Sequence, residues 1–305
     1  MSNYIVSASP HIRDRVTSQR IMLDVIIALV PALIAAITAF GLRAALVVFV
    51  CVATCVLAEF IWQKLMKKTV SVGDLTAVVT GILLAYNLPV NIPLWQAMVG
   101  AVVAIIVVKQ LFGGVGKNFA NPAITARIVM FLAFSVSMTN FVSVDGVSSA
   151  TPLALITAGR IEELPSLTNM LLGVRGGCLG ETSVIALVIG GVYLICRKVI
   201  TWHTPVVYLA TVFVFTLLLG QQPVYQVMSG GLMLGAIFMA TDYVTTPYTA
   251  IGKVIFGLGA GILTVIIRVY GSYAEGVSYS ILLMNILTPY INRIRVRLPV
   301  GGARA

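Results

Sequence analysis

The stretch Asp145-Gly-Val-Ser-Ser-Ala-Thr-Pro-Leu153 places three hydroxyls, Ser148, Ser149 and Thr151, just ahead of a proline. Such a turn starts a helix. A serine or threonine oxygen accepts from an N–H of the first turn, and proline at the first helical position lacks the N–H that would go unpaired. Asn121-Pro122 has the same grammar, with Asn118 three residues earlier. Carboxylates within or beside apolar runs are Asp24, Glu59, Asp74, Glu181 and Asp242. A charge in such a run is costly and usually faces a pathway or a partner. Asp242, in Ala240-Thr-Asp242, has the side chain and neighbouring carbonyls that suit a cation. Asp24 is a second candidate for an ion pathway. Glu181 is a third, at a helix start where the dipole favours a negative charge. Glu59 and Asp74 lie near the edges of their runs and read as solvated.

Other polar residues carry less. Cys51 and Cys55 are one turn apart on an apolar helix and read as core, since two further ligands for a cluster are missing. Cys178 and Cys196 are isolated, and the two histidines, His11 and His203, assemble no metal site. Gly113-Gly114-Val115-Gly116 follows an apolar helix rather than a strand, the wrong context for a dinucleotide loop. Gly257 and Gly261 form a small-xxx-small pair for close helix packing.

The elements that must hold these residues follow from composition. The chain has 305 residues, 59% apolar and 10% charged, with mean hydropathy +1.02. A soluble domain carries about 25% charged residues. This chain lacks the polar surface of a soluble enzyme or a DNA-binding domain, despite its net charge of +10. Its apolar runs are continuous, which excludes an outer-membrane barrel. An all-α polytopic membrane protein remains. Ten helices are predicted at about 21–40, 44–62, 72–88, 94–112, 122–141, 179–197, 203–219, 224–241, 250–270 and 276–292, the third and eighth short and interrupted.

Lysine and arginine set the direction. With a cytoplasmic N-terminus, inside segments hold Arg13, Arg15, Arg20, Lys64, Lys67, Lys68, Lys109, Lys117, Arg197, Lys198, Lys253, Arg293, Arg295, Arg297 and Arg304. Outside segments hold only Arg43, Arg160, Arg175 and Arg268, while Arg127 lies within a span. This asymmetry puts both termini in the cytoplasm, so the basic charge reports topology and not a nucleic-acid partner. The chain then divides into a cytoplasmic segment 1–20, a five-helix half 21–141, an outer loop 142–178, a second five-helix half 179–292 and a basic tail 293–305. Two halves of odd helix number enter the bilayer in opposite senses, the arithmetic of an inverted repeat. An internal echo agrees: Lys109-Gln-Leu-Phe-Gly113 matches Arg268-Val-Tyr-Gly271, and the run from Gly81 to Pro89 matches that from Gly235 to Asp242.

With these residues in view the chain resembles a known family. The 145–153 stretch is similar to the flavinylation sequence of the D subunit of Rnf ferredoxin:NAD oxidoreductases and the B subunit of sodium-pumping NADH:quinone reductases. Further matches are Ser9-Pro-His11, the run Phe112 to Ala123, Gly180-Glu-Thr-Ser183 with Gly190-Gly191, Ala240-Thr-Asp242 with Thr246-Pro247, and Leu283-Met-Asn285. The length is nearer the Rnf subunit. The resemblance implies FMN joined to Thr151 through a phosphoester, attached by a separate flavin transferase. Ser149 stands where the family has glycine, which makes Ser148 and Ser149 rival acceptors. Arg160 and Arg175 share the loop and could balance the phosphate, or be solvated. The resemblance also implies a non-covalent riboflavin held by Asn118 and Asn121 near the cytoplasmic side, where amides offer both donor and acceptor to a neutral ring.

The reading that follows is an electron-relaying subunit of a cation-translocating complex in a bacterial inner membrane. Nicotinamide and ferredoxin would bind on partner subunits, since the chain has no site for either. The rival class is a secondary transporter or channel of inverted-repeat architecture without a redox cofactor.

Overall fold

A computed structural model of the chain describes residues 17–142, 150–271 and 276–294. Ser148 and Ser149 lie outside them. Regular structure among the described residues is helical. In the first half they form α1 (Ser18–Phe40), α2 (Leu42–Leu65), α3 (Thr76–Tyr86), α4 (Leu94–Val102), α5 (Pro122–Ala133) and α6 (Ser135–Thr139). The segment between the two halves contains α7 (Pro152–Thr157) and α8 (Leu167–Leu172). The second half contributes α9 (Val184–Cys196), α10 (His203–Leu218), α11 (Pro223–Met228), α12 (Leu232–Leu234), α13 (Ala250–Tyr270) and α14 (Val277–Ile291). α1, α2 and α13 are each long and apolar enough to cross a membrane alone. Large apolar side chains such as Leu42, Phe49, Val136 and Leu218 point outward, as lipid-facing helices require.

The interrupted helices are where the sequence suggests. α3 has 11 residues, about 16 Å, half the roughly 30 Å of a hydrocarbon core. It stops at Asn87, ahead of Pro89. Ser229-Gly-Gly231 separates α11 from α12, with Gly230 and Gly231 both at φ +66°, a backbone region open to glycine. Two stretches are wound as π-helix, Val103–Gln110 continuing α4 and Gly235–Met239 continuing α12. Their N–H groups bond five residues back, as in Leu111 to Ile106 and Ala240 to Gly235. Such segments are frequent at functional sites.

Pairing between helices fixes their directions. Asp24 and Ala28 of α1 meet Arg197, at the end of α9, and Gly190, at its middle, so these helices run antiparallel. Asn121 and Arg127 meet Asn285 and Ser278, so α5 and α14 are antiparallel too. Within each half a different pair is parallel. Cys55 and Glu59 of α2 face Ala101 and Lys109. Gly257 and Gly261 of α13 face Thr204 and Tyr208 of α10. The equivalent helices of the two halves thus pair alike.

One end of the bundle therefore gathers the start of α1, the connectors 66–75, 111–121, 197–202 and 240–249, and the end of α14. The other end gathers residues 87–93, 150–183 and 219–222. Arg20, Lys64, Lys67, Lys68, Lys109, Lys117, Arg197, Lys198, Lys253 and Arg293 belong to the first end; Arg43, Arg160, Arg175 and Arg268 belong to the second.

Gly190 sets the closest approach. A Cβ there would collide with the carbonyl oxygen of Ala28. That atom is backbone, so relief requires α1 and α9 to separate. Gly190→Ala is expected to lower stability by about 1–3 kcal/mol, read as a reduced Tm of the purified protein in detergent. An unchanged Tm would show that this seam can open without loss.

Candidate functional site

A cavity opens at the first end, between α1, α3, the end of α9, the π segment after α12, and the 111–121 connector. Its enclosed volume is about 120 Å³, and it continues into space open to the outside. Apolar walls come from Met22, Val25, Leu83, Leu194 and Phe238, while Asn118, Asn121, Lys109, Thr76 and Asp242 supply polar atoms. Three of the sequence-predicted residues, on two separate connectors, thus face one space.

Asn121 is there because it caps α5. Its Oδ1 accepts from the N–H groups of Ala123 and Ile124, with Pro122 at the first helical position. The Asn285 amide, oriented to satisfy both neighbours, accepts from the Asn121 N–H and donates to the Thr245 carbonyl. Asn118 donates to the Ala120 carbonyl at 2.9 Å and is half-buried. Capping and cavity lining coexist on Asn121. Asp242 lies in the connector to α13, not at the middle of the bundle, and accepts from Thr245 Oγ1 at 3.1 Å.

The polar wall behind this cavity departs from the sequence expectation. Glu59 is not solvated: it is 0% exposed. Its Oε2 accepts from Lys109 Nζ at 2.9 Å, and its Oε1 from Gln110 Nε2 at 2.7 Å and Gln63 Nε2 at 3.2 Å. Lys109 also donates to Thr76 Oγ1 at 2.7 Å. Asp24 is engaged as well, accepting from Tyr193 Oη at 2.9 Å and Arg197 Nη2 at 3.3 Å. A Glu59–Gln63 pair one turn apart is the available sequence signal; Lys109 arrives from another helix and gives none.

At the opposite end Thr151 is the N-cap of α7, its Oγ1 accepting from the Ala154 N–H at 3.3 Å, with Pro152 next. The capping expectation holds. An open loop does not: Thr151 is 9% exposed, because Leu153 packs onto Gly230 at the break between α11 and α12. Arg268 donates to the carbonyls of Gln226, Ser229 and Gly230, closing that break. Its echo residue Lys109 likewise grips the start of the half-helix in its own half.

Arg175 is buried rather than solvated. It donates to the Glu181 carbonyl at 2.5 Å and to Ser229 Oγ at 3.4 Å. Burial pushes its guanidinium down from the ordinary value, opposed by the Glu181 charge, yet an arginine stays cationic. Arg160 is exposed, 3.8 Å from Glu163. Glu181 ends a 3₁₀ turn ahead of α9 instead of opening the helix. It stands 4.0 Å from Arg127, which also donates to Asn87 Oδ1 and Ser278 Oγ. Three buried guanidinium groups, Arg127, Arg175 and Arg268, therefore lie at this end with Glu181, whose carboxylate is 4.0 Å from Arg127, a setting that accepts added negative charge.

Comparison with known proteins shows the family. The family model described as NQR2, RnfD, RnfE matches residues 5–301. The chain belongs to that family. It is 51% identical over 296 residues to the D subunit of the Na(+)-translocating ferredoxin:NAD(+) oxidoreductase complex of Acetobacterium woodii, covering 95% of this chain and 93% of the relative. It is 39% identical to the D subunit of the proton-translocating ferredoxin:NAD(+) oxidoreductase complex of Clostridium ljungdahlii, over 99% and 97% of the two chains. Identity to the D subunit of the ion-translocating oxidoreductase complex of Alcanivorax borkumensis is 34%, over 94% of each. Members of the NQR2, RnfD, RnfE family thus align with this chain across both of its ends, the cavity end and the Thr151 end.

Proposed function

We propose that the chain is the flavin-carrying membrane component of a cation-translocating ferredoxin:NAD oxidoreductase complex. It would sit in a bacterial inner membrane with both termini cytoplasmic, as the crowding of lysine and arginine at the cavity end supports. Two sites would carry flavin. Thr151 would hold FMN as a phosphoester made by a separate flavin transferase. The fit rests on the excess of buried guanidinium charge beside α7, suited to a phosphate. Asn118 and Asn121 would hold a non-covalent riboflavin in the cavity, whose apolar walls and two amides suit a neutral ring with donors and acceptors on its edge. Flavin supplies one-electron chemistry; the protein supplies position, electrostatics and exclusion of water. Electrons would pass between the outer and the inner site and on to centres in other subunits.

The observation that carries this reading is the meeting of Asn118, Asn121 and Asp242 in one cavity with apolar walls, opposite Thr151, in a chain of this family. The secondary-transporter reading draws on one feature, the half-length α3 and the broken α11–α12, which a transporter also uses.

The test must spare the cap. Asn121→Asp keeps the Oδ1 that caps α5 but loses the amide donor, and Asn118→Leu removes a half-buried amide. Together they are expected to reduce acid-extractable flavin at least tenfold, since ring acceptors lose their partners, while covalent flavin stays. Full retention of extractable flavin in the folded double variant would reduce both residues to structural roles.

A further inference from the structure

A second cavity lies at the same end, where α2 and the π segment after α4 leave the bundle. Its enclosed volume is about 280 Å³, and it too continues into open space. Its lining is polar. Gln63, Lys68, Thr69, Ser71, Asp74 and Gln110 contribute side chains, while Gly113 and Gly114, both at positive φ, contribute bare backbone. Hydrogen bonds to the rest of the protein decide which atoms remain for a ligand. Gln110 gives Nε2 to Glu59, so its Oε1 is turned the other way, toward the wall at Gly114. Ser71 Oγ accepts from Gln63 Nε2, which leaves the Ser71 hydroxyl proton to donate. Asp74 uses Oδ1 to accept from the N–H and the hydroxyl of Thr76, and its second oxygen is left over. Lys68 and Thr69 add an ammonium and a hydroxyl. Gln63 and Gln110 are buried, so packing holds this wall in place.

This set of atoms excludes the simplest ligands. A bare anion would meet the oxygens of Gln110 and Asp74, and a bare cation would meet Lys68. A group with a phosphate at one end and hydroxyls at the other satisfies both halves. The surroundings point to its source. Leu65, Met66 and Val70 on one connector, with Leu111 and Phe112 on the other, are exposed apolar side chains. Lys67 and Lys68 stand among the first group, and Lys117 folds over Gly113 beside the second. Lysine next to exposed apolar side chains, at the end of a spanning helix, marks the level where acyl chains give way to head groups. Three ammonium groups against the one carboxylate of Asp74 favour a lipid of net negative charge. Lys109 and Glu59 add nothing to that balance, because they neutralise each other.

We propose that this cavity binds the phosphoglycerol head group of an anionic membrane phospholipid. The phosphodiester lies against Lys68, with the hydroxyls of Thr69 and Ser71 donating to its oxygens. The glycerol hydroxyls donate to Gln110 Oε1 and to the second oxygen of Asp74. The acyl chains run along the exposed side chains of Leu65 and Leu111. Gln63 and Gln110 also hold Glu59, so a bound head group braces the ion pair from outside and raises the thermal stability of the protein. The inference does not depend on flavin at either site.

The experiment uses the full chain in detergent, stripped of lipid and titrated with dioleoylphosphatidylglycerol. Native mass spectrometry counts the lipid retained, and Tm is read in parallel. Dioleoylphosphatidylcholine, dioleoylphosphatidylethanolamine and inorganic phosphate are the comparison probes. The expected result is a single phosphatidylglycerol held per chain with a raised Tm, weaker retention of the two zwitterionic lipids, and no effect of phosphate. Lys68→Gln should weaken phosphatidylglycerol about fivefold, and Lys68→Gln/Lys117→Gln about twentyfold. Both variants should match the parent Tm in lipid-free detergent, which shows them folded. Lys253→Gln removes the same charge at the same end, away from the cavity, and should bind as the parent does. Equal retention of phosphatidylcholine, or equal weakening by Lys253→Gln, would overturn the site in favour of diffuse attraction. Displacement of the lipid by inorganic phosphate would reassign the cavity to a free anion. Amine cross-linking of Lys68 and Lys117 to a neighbouring subunit in the intact complex, with no phosphatidylglycerol retained, would give the cavity to a protein partner and overturn the proposal.

Discussion

Thr151→Ala is expected to remove all covalent flavin from the polypeptide, seen as loss of in-gel fluorescence after denaturation, while the protein remains folded. The chemical half rests on Oγ1: a phosphoester needs that atom, and alanine lacks it. The folding half rests on what Oγ1 does in the structure, which is to accept one N–H bond from Ala154. Losing such a cap is worth about 0.5–2 kcal/mol, and burial of the side chain adds little for so small a truncation. Thr151→Ser keeps the hydroxyl and the cap and should label in part. Expression must include the flavin transferase, or the parent itself would be colourless. Peptide mass spectrometry decides the position. FMN on Ser148 or Ser149 would move the site within the same stretch, whereas no flavin on any peptide from 142–178 would favour the transporter reading.

Lys109→Met carries the largest expected effect on stability. Its methylene stem is mimicked, so packing is kept, but Glu59 is left charged and 0% exposed with only amide donors. Breaking a buried pair from one side typically costs about 3–5 kcal/mol, most of it the stranded charge. Adding Glu59→Gln should restore the greater part, because the site is then neutral and Gln63 and Gln110 still have an oxygen to address. Denaturation of all three proteins in the same detergent gives the comparison. Arg160→Gln at the exposed pair with Glu163 is the control and should leave the midpoint unchanged. If Lys109→Met were as mild as that control, Glu59 would not be charged in the folded protein.

Much of this architecture is legible in the sequence, for reasons that differ by residue. α1, α2 and α13 follow from unbroken apolar runs. The short α3 and the broken α11–α12 follow from Asn87 to Pro89 and from Ser229-Gly-Gly231, where local chemistry forbids a continuing helix. Caps at Thr151 and Asn121 are likewise local, set by residues within one turn. The break at Phe134 between α5 and α6, by contrast, carries no proline or glycine to announce it. Burial of Glu59 and Arg175 is hidden from the sequence because their partners are set by tertiary packing. Lys109 lies 50 residues from Glu59, and Ser229 lies 54 from Arg175. The cavity is illegible for the same cause: no spacing along the chain reveals that Asn118 and Asp242 share a space.

The buried charges also set an order of synthesis. Glu59 enters the bilayer on α2 well before Lys109 leaves the ribosome, and a lone carboxylate inside a helix carries an insertion penalty of roughly 2.5–3.5 kcal/mol at its centre. The hydrophobic remainder of α2 must bear that burden until α4 arrives. Arg127 waits longer. Asn87 is already in place when α5 emerges, but Ser278 follows 151 residues later. The nascent first half therefore presents an unfinished polar seam to the lipid, which closes only when α14, the last of the described helices, slides in against α5.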